Sequence, residues 1–463
     1  MARSGFLLLW VLFLPVLWLA GAAAGAAGQD YAELAGKSFE QEDYVQAVEY
    51  YRQALAEETA EKQGVEIYFN LGHALSQLGR WDQAAGVYEK GLEIFERSVS
   101  ESGEAVTEQQ RKNWARVWRM LAQAQFMAGD YEAAVINRGQ GDKLDPYEGG
   151  ILFAARCYLA LEQWSRAHGE IVNLLRERPG DVEAKKLLAY VLMQENRPGE
   201  AAVIWRDLIR RDLAGRDQGN GDYFLALAQA EVSAGRYGGA IDALEFAVRV
   251  IPGGSERLNR ALADLYLHEK MFRQAAGCYQ RLIASKQTVR AEDWFWLGYA
   301  FYQAGELVSA QKAFGQARQI DDSNYRAVYY VGSVAKQLGD IEKAREALLA
   351  AAKMSGAQIL AQQDEQVKDQ QQGQGWGQRS EPWLALGELE MGEGDFAAAA
   401  DYFSRAIELG QRSLAVHYNY VLALMKAEKF AQAKVALKQA FEDYPLDERL
   451  NSLLESLIVG RTQ

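Results

Sequence analysis

The sequence predicts an all-α protein built from stacked helical hairpins. Eleven alanines recur along it, and most intervals between successive members are 33 to 35 residues long. Three residues before each alanine there is an aromatic, aliphatic or proline side chain. Four residues after each alanine there is another large side chain. A fixed period of this length is typical of arrays of helical hairpins. The series is Ala47, Ala84, Ala134, Ala167, Ala201, Ala240, Ala275, Ala310, Ala344, Ala399 and Ala433.

A second series of small residues is predicted to lie in the first helix of each hairpin. Two antiparallel helices joined by a short turn approach closely only where their crossing carries small side chains. The two series keep one register, so we expect them to face each other across each hairpin. The first-helix members are Gly72, Ala122, Ala155, Ala189, Ala228, Ala263, Gly298, Gly332 and Gly387.

Turn and stop signals occur in the same register. A glycine lies two residues before the predicted second helix in six of the units, where a turn requires positive φ. Four of the prolines lie fifteen residues after the start of that helix, where a helix should end. These residues are Gly79, Gly129, Gly235, Gly305, Gly339 and Gly394, with Pro146, Pro179, Pro252 and Pro445.

With these marks the chain resembles the tetratricopeptide repeat family, in which Trp-x2-Leu-Gly-x2-Tyr precedes an Ala-x3-Phe-x2-Ala segment. The closest single copy consists of Trp294, Leu297, Gly298, Phe301, Gly305, Ala310, Phe314 and Ala317. The resemblance implies a right-handed superhelical solenoid of about eleven hairpins with a C-terminal capping helix. Such an array is one elongated unit whose stability is roughly a sum over adjacent interfaces.

The predicted organisation has four parts. Residues 1–27 are a signal peptide, 28–445 the array, 355–379 a Gln/Gly-rich insertion within it, and 446–463 a capping helix and tail. The repeat units lie near 28–61, 65–97, 115–147, 148–180, 182–211, 221–253, 256–285, 291–322, 325–354, 380–410 and 413–445.

Three segments interrupt the period. The extra residues around 98–113 are predicted to form an extended second helix followed by a loop. Residues 212–221 are predicted to be a flexible loop because of their glycines. The composition of 355–379 cannot bury enough apolar area to fold alone. That insertion is either a tolerated surface segment or a tether that docks a partner.

The N-terminal segment predicts export. Arg3 precedes an uncharged run from Gly5 to Ala20 and a stretch of small residues, the pattern of a signal peptide cleaved after Ala24 or Ala27. An uncleaved anchor facing outward stays open, because the run approaches the length of a membrane span. Both alternatives place the repeats outside the cytoplasm. Export without disulfides favours the periplasm or cell envelope of a bacterium.

Charge and composition exclude several function classes. The net charge of −13 disfavours nucleic-acid binding, which requires a basic face. The four histidines are dispersed and no catalytic, metal-binding or phosphate-binding motif is present, so we predict no enzyme activity, no metal and no cofactor. Cys157 and Cys278 are three repeats apart, and we expect buried thiols that act as small apolar residues.

The resemblance also implies a concave groove lined by first-helix residues, which is where we look for partner-binding residues. Arg119, Arg156 and Lys186 form a basic run on successive hairpins, with Tyr190 nearby, and such a run can hold an acidic peptide. Ion pairing with neighbouring acids within the array is the alternative. The family's carboxylate-gripping set of lysines and asparagines is absent.

A second groove region is aromatic. Phe295, Tyr299, Tyr302 and Tyr329 are predicted to cluster, and the first two share a helix face at i, i+4. Exposed aromatic residues are good anchors for peptides, although we expect core packing for at least two of them.

The sequence therefore predicts a non-catalytic exported scaffold that binds protein or peptide partners, in envelope assembly or secretion. The alternative is a structural protein that forms homo-oligomers through the ends of its array. Stable membrane insertion is not expected once the signal peptide is removed.

Overall fold

A computed structural model describes residues 26–56, 65–102, 105–146, 150–215, 220–251, 256–285, 289–364 and 377–459. Within these ranges the chain forms 23 helices and no strand, which confirms the predicted all-α fold. The chain divides into two compact units, Met1–Ile204 and Trp205–Gln463. The predicted signal peptide lies almost entirely outside the described residues, since only 26 and 27 belong to the first helix.

The helices pair in chain order into antiparallel hairpins, so odd numbers are first helices and even numbers are second helices. The first unit holds α1 (Ala26–Glu40), α2 (Tyr44–Ala56), α3 (Val65–Gln77), α4 (Trp81–Ser102), α5 (Glu108–Ala128), α6 (Tyr131–Leu144), α7 (Gly150–Ala160), α8 (Trp164–Glu177) and α9 (Val182–Gln194). The boundary between the units falls within α10 (Pro198–Gly215).

The second unit continues the same alternation to the end of the described chain. It holds α11 (Gly221–Ser233), α12 (Tyr237–Val250), α13 (Glu256–His268), α14 (Phe272–Ala284), α15 (Ala291–Gln303), α16 (Leu307–Ile320), α17 (Tyr325–Gln337), α18 (Ile341–Asp364), α19 (Gly377–Glu393), α20 (Phe396–Glu408), α21 (Leu414–Lys426), α22 (Phe430–Asp443) and α23 (Glu448–Val459).

The recurring alanines are all buried. All eleven, from Ala47 to Ala433, have no solvent-exposed surface. Where the small residue of the first helix is glycine, the structure shows why a larger residue does not fit. A Cβ added to Gly298 would lie 2.7 Å from the Phe314 ring, and one added to Gly72 would lie 2.6 Å from the Tyr88 ring. The large side chain of the second helix therefore occupies the space that any first-helix side chain would need.

The hairpin turns share one backbone conformation. Every one of the eleven second helices α2 to α22 is preceded, two residues earlier, by a residue with positive φ. Six of these residues are the glycines predicted from the sequence. The other five were missed because the sequence prediction took only glycine as the signal for positive φ; they are Glu42, Glu162, Asn196, Lys270 and Glu428.

We predict that Lys270→Gly raises the free energy of unfolding by up to about 1 kcal/mol, because Lys270 holds φ at 58° and a residue with a Cβ is strained there. Gly305→Ala should lower it by about 1 kcal/mol, since Gly305 holds φ at 79° in an equivalent turn. Urea denaturation measures both. Lys270→Ala is the control, and a gain equal to that of Lys270→Gly would show that backbone strain is not the cause.

The described residues of the period breaks are largely helical. The extra residues around 98–113 lengthen two helices. The helix α4 runs to Ser102, and α5 begins at Glu108 with a Thr107–Gln110 capping box. The first four residues of the predicted loop 212–221 belong to a helix, because α10 continues to Gly215. Similarly, α18 continues to Asp364, so residues 355–364 of the predicted insertion belong to a helix. Alanine, leucine and glutamine favour helices, and they outweigh the low apolar content.

The array ends in α23, at the place predicted for a capping helix. Leu450, Leu453 and Leu457 of this helix are buried against the last hairpin. Among the described helices, none combines the length and the apolar composition needed to cross a bilayer.

Candidate functional site

Consecutive first helices contact each other in places within each unit, for example α3 with α5 and α15 with α17. Their side chains therefore form shared surfaces, which we call the first-helix face of each unit. All eight partner-binding residues predicted from the sequence lie on first helices: α5, α7 and α9 in the first unit, and α15 and α17 in the second.

The basic residues of the first unit are engaged by acids of the array. Arg119 is largely buried, its Nε lies 3.2 Å from Asp142 Oδ1, and its Nη1 lies 3.3 Å from Asp145 Oδ2. Its Nη2 also donates to the Asp145 carbonyl. Arg119 therefore fixes the end of α6 against α5. The predicted partner-binding role of Arg119 remains a prediction.

Arg156 and Lys186 share one carboxylate. Glu183 on α9 accepts from Arg156 Nη2 at 3.0 Å and lies 3.5 Å from Lys186 Nζ. Ion pairing within the array, the alternative left open by the sequence, is thus observed for all three basic residues. Tyr190, one turn after Lys186, is 42% exposed and is the most accessible aromatic residue of the predicted set.

The aromatic residues of the second unit come together around a residue that the sequence analysis did not name. The ring of Tyr330 on α17 lies 5.6 Å from that of Tyr299, 5.4 Å from that of Tyr302 and 5.1 Å from that of Tyr329. We call these four residues the tyrosine cluster. Tyr330 was missed because it lies outside the positions that the family resemblance assigns to the groove.

Phe295 is buried and packs beneath the tyrosine cluster, with its ring 5.8 Å from those of Phe314 and Tyr330. It is therefore part of the core, and we exclude it from the proposed contact surface. Core packing of some of these aromatics was expected from the sequence.

The tyrosine cluster presents neutral rings with polar edges. Burial raises the pKa of Tyr329 to about 12, and burial also raises the pKa of Tyr302 and Tyr330. The hydroxyl of Tyr302 accepts a hydrogen bond from Gln337 Nε2 at 2.8 Å. The phenols therefore stay protonated at neutral pH, which suits aromatic anchors.

Ion pairs join neighbouring first helices on both sides of the tyrosine cluster. Arg260 on α13 contacts the fully buried Asp293 of α15 at 2.7 Å, and Lys336 on α17 contacts Glu388 of α19 at 3.1 Å. Each pair connects two consecutive repeats.

The described parts of the chain contain no group of three or more His, Cys, Asp or Glu residues that could hold a metal. Both cysteines are buried, and burial raises the pKa of Cys157 to about 12 and that of Cys278 to about 11. They are buried thiols, as predicted, and at neutral pH they are not nucleophiles.

Comparison with known proteins agrees with this architecture. Three family models, each described as tetratricopeptide repeat, match residues 38–101 and 390–457, 154–216 and 258–325, and 325–358. Together they cover more than half of the chain.

Two curated relatives match shorter segments. Superkiller protein 3 of Schizosaccharomyces pombe is 27% identical over 151 residues, which cover 32% of this chain and 10% of the relative. A TPR repeat-containing protein of Methanocaldococcus jannaschii is 34% identical over 79 residues, covering 17% of this chain and 14% of the relative. The chain thus spans a small fraction of the length of these relatives.

Among solved structures, the hetero-tetramer Cut9–Hcn1 of APC/C is similar over 93% of this chain and 96% of that chain, with 12% identity and a TM-score of 0.37. The matches of the three family models, together with the buried alanine series and the eleven equivalent turns, establish the relationship. The chain belongs to the tetratricopeptide repeat family.

Proposed function

We propose that this chain is a non-catalytic scaffold that binds segments of partner proteins on its first-helix faces. Tetratricopeptide repeat proteins generally act as protein-interaction scaffolds. The observation that carries the proposal here is the tyrosine cluster, in which Tyr299, Tyr302 and Tyr329 are only partly buried and surround Tyr330. Tyrosines are enriched among the residues that dominate binding energies at interfaces, because a large ring is fixed at little entropic cost.

The proposal includes export. The charged start, apolar run and small-residue end of residues 1–27 support a signal peptide, and the scarcity of cysteine supports a bacterial periplasm or cell envelope. In that setting the scaffold would serve envelope assembly or secretion. N-terminal sequencing of the protein purified from an envelope fraction tests this part, and a mature chain that retains Met1 would contradict cleavage.

The tyrosine cluster gives the first test. In pull-downs from an envelope fraction, Tyr299→Ala together with Tyr302→Ala should lower partner capture about tenfold or more, because each anchor contributes of the order of 1–2 kcal/mol. Val308→Ala is the matched control, since Val308 lies on the second helix α16 and is 60% exposed. Retained helicity by circular dichroism must accompany the loss. Equal capture by the double variant and the control would remove the cluster from the proposal.

Self-assembly is the second candidate, and the end of the array favours it. Leu454 and Ile458 lie one turn apart on α23 and are 37% and 58% exposed, and the nearby Leu446 is 90% exposed. Leu454 and Ile458 thus present apolar side chains on one face of the terminal helix, and Leu446 lies two residues before its start. Light scattering across a range of concentrations separates a self-assembling protein from a monomeric adaptor.

A further inference from the structure

His417 is a buried histidine at the C-terminal end of the array. It is the fourth residue of α21, and the whole residue is 4% exposed. Its Nε2 lies 3.4 Å from Oδ2 of Asp443, the last residue of α22. Its ring lies 6.3 Å from the ring of Tyr444, which follows Asp443. His417 therefore joins the start of α21 to the end of α22 within the last hairpin.

The capping helix α23 packs on the same part of the hairpin. The Tyr444 hydroxyl donates to the carbonyl of Arg412 at 2.7 Å, and this bond also joins the segment before α21 to the end of α22. Four residues after Tyr444, α23 begins at Glu448, and it contacts both helices of the hairpin. Three of its leucines are buried in the same apolar cluster as Val416, the residue before His417: Leu450, Leu453 and Leu457. The contacts of His417 and the attachment of the cap thus lie in one part of the fold.

The surroundings of His417 disfavour a charge on its ring. Burial lowers the pKa of the imidazole below its ordinary value of 6.5, although Asp443 acts in the opposite direction. The side chain of Asp443 is 40% exposed, so water screens much of its attraction. Arg412 and the N-terminal turn of α21 both oppose a positive charge. Among the described residues, Asp443 and Arg412 are the charged groups that act on the ring, which is neutral at neutral pH.

The stability of the last hairpin should therefore depend on pH. A histidine whose pKa is lower in the folded protein than in the unfolded chain stabilises the fold above pH 6.5, and this contribution is lost as the pH falls from 6.5 towards the folded value. We propose that protonation of His417 opens the C-terminal end of the array and separates the capping helix α23 from the last hairpin in mildly acidic solution. Repeats closer to the N-terminus stay folded, because each repeat contacts only its neighbours. This opening goes beyond the proposed scaffold function, since it involves neither the tyrosine cluster nor the basic residues of α5, α7 and α9.

Hydrogen exchange followed by mass spectrometry tests the opening on the full chain. Peptides from α22 and α23 are compared at about pH 7.5 and about pH 5.5, after correction for the intrinsic pH dependence of exchange. Because the acidic condition lies about one unit below the ordinary pKa of histidine, these helices should exchange up to about tenfold faster there. His417→Gln should remove most of this difference. His168→Gln is the matched control and should keep it, since His168 belongs to the first unit.

Asp443→Asn provides a second test, which also applies if circular dichroism shows that His417→Gln does not fold. The Asp443 carboxylate favours the charged ring, so its loss should make the acid-induced opening larger. Equal protection of α22 and α23 at the two pH values in the wild-type protein would overturn the proposal. So would a difference that survives in a folded His417→Gln variant. A difference that Asp443→Asn abolishes would also overturn it, because the acid response would then belong to the carboxylate.

Discussion

Phe314→Ala is expected to lower the free energy of unfolding of the second unit by about 3–5 kcal/mol. Phe314 is fully buried on α16, its ring stacks on that of Tyr330 at 5.1 Å, and it fills the space opposite Gly298. The lost ring would leave a cavity that the glycine cannot fill. Because repeat stability depends on contacts between neighbours, both interfaces of this hairpin should weaken. Urea denaturation followed by circular dichroism measures the change.

Two companion variants make the Phe314 prediction specific. Val308→Ala on the same helix should change stability by less than about 0.5 kcal/mol, since Val308 is largely exposed. Gly298→Ala should destabilise the wild-type protein, where the new Cβ would meet the ring at 2.7 Å, and should partly restore Phe314→Ala, where the ring is gone. Additive effects of Gly298→Ala and Phe314→Ala would contradict the proposed packing.

Arg345→Met is expected to cost about 3–5 kcal/mol. Arg345 on α18 donates to both oxygens of Glu390 on α19, at 2.6 Å and 3.0 Å, and the Glu390 side chain is 5% exposed. Removal of the arginine would leave a buried carboxylate without its cation, at the interface between two consecutive repeats. The loss should appear in the same urea experiment as the Phe314 variants.

The double variant Arg345→Met with Glu390→Leu shows whether the cost of Arg345→Met comes from the broken ion pair or from other contacts of Arg345. Two apolar residues of similar volume can replace a buried ion pair at little cost, so the double variant should be markedly more stable than Arg345→Met. The matched control is Arg405→Met, because Arg405 forms only an exposed pair with Glu408 and should cost less than about 1 kcal/mol. A double variant as unstable as the single one would show that Arg345 acts through other contacts.

The sequence predicts the repeat architecture because close packing constrains residue size at fixed positions. In the hairpin of α15 and α16, Ala310 is fully buried and Gly298 lies against the Phe314 ring, where a Cβ would not fit. The turn at Lys270 could not be predicted in the same way. Any residue can be forced into positive φ when the surrounding helices hold the chain, and the sequence then shows no glycine.

The site was harder to predict than the fold. The family resemblance assigns side chains to the first-helix face, but it does not indicate which carboxylates form ion pairs with them. Arg119 was predicted as a partner-binding residue, and the structure adds that Asp142 and Asp145 contact its guanidinium. Tyr330 was overlooked because its role depends on contacts between repeats, which a single-repeat pattern does not contain.

The central claim is that partners bind the first-helix face and not the outer second helices. Site-specific photo-crosslinking tests it most directly, with a benzophenone amino acid placed at Tyr299 on α15 or at the exposed Val308 on α16. We expect a discrete crosslinked partner from position 299 and none from position 308. Crosslinks of equal yield at both positions, or at position 308 alone, would contradict it.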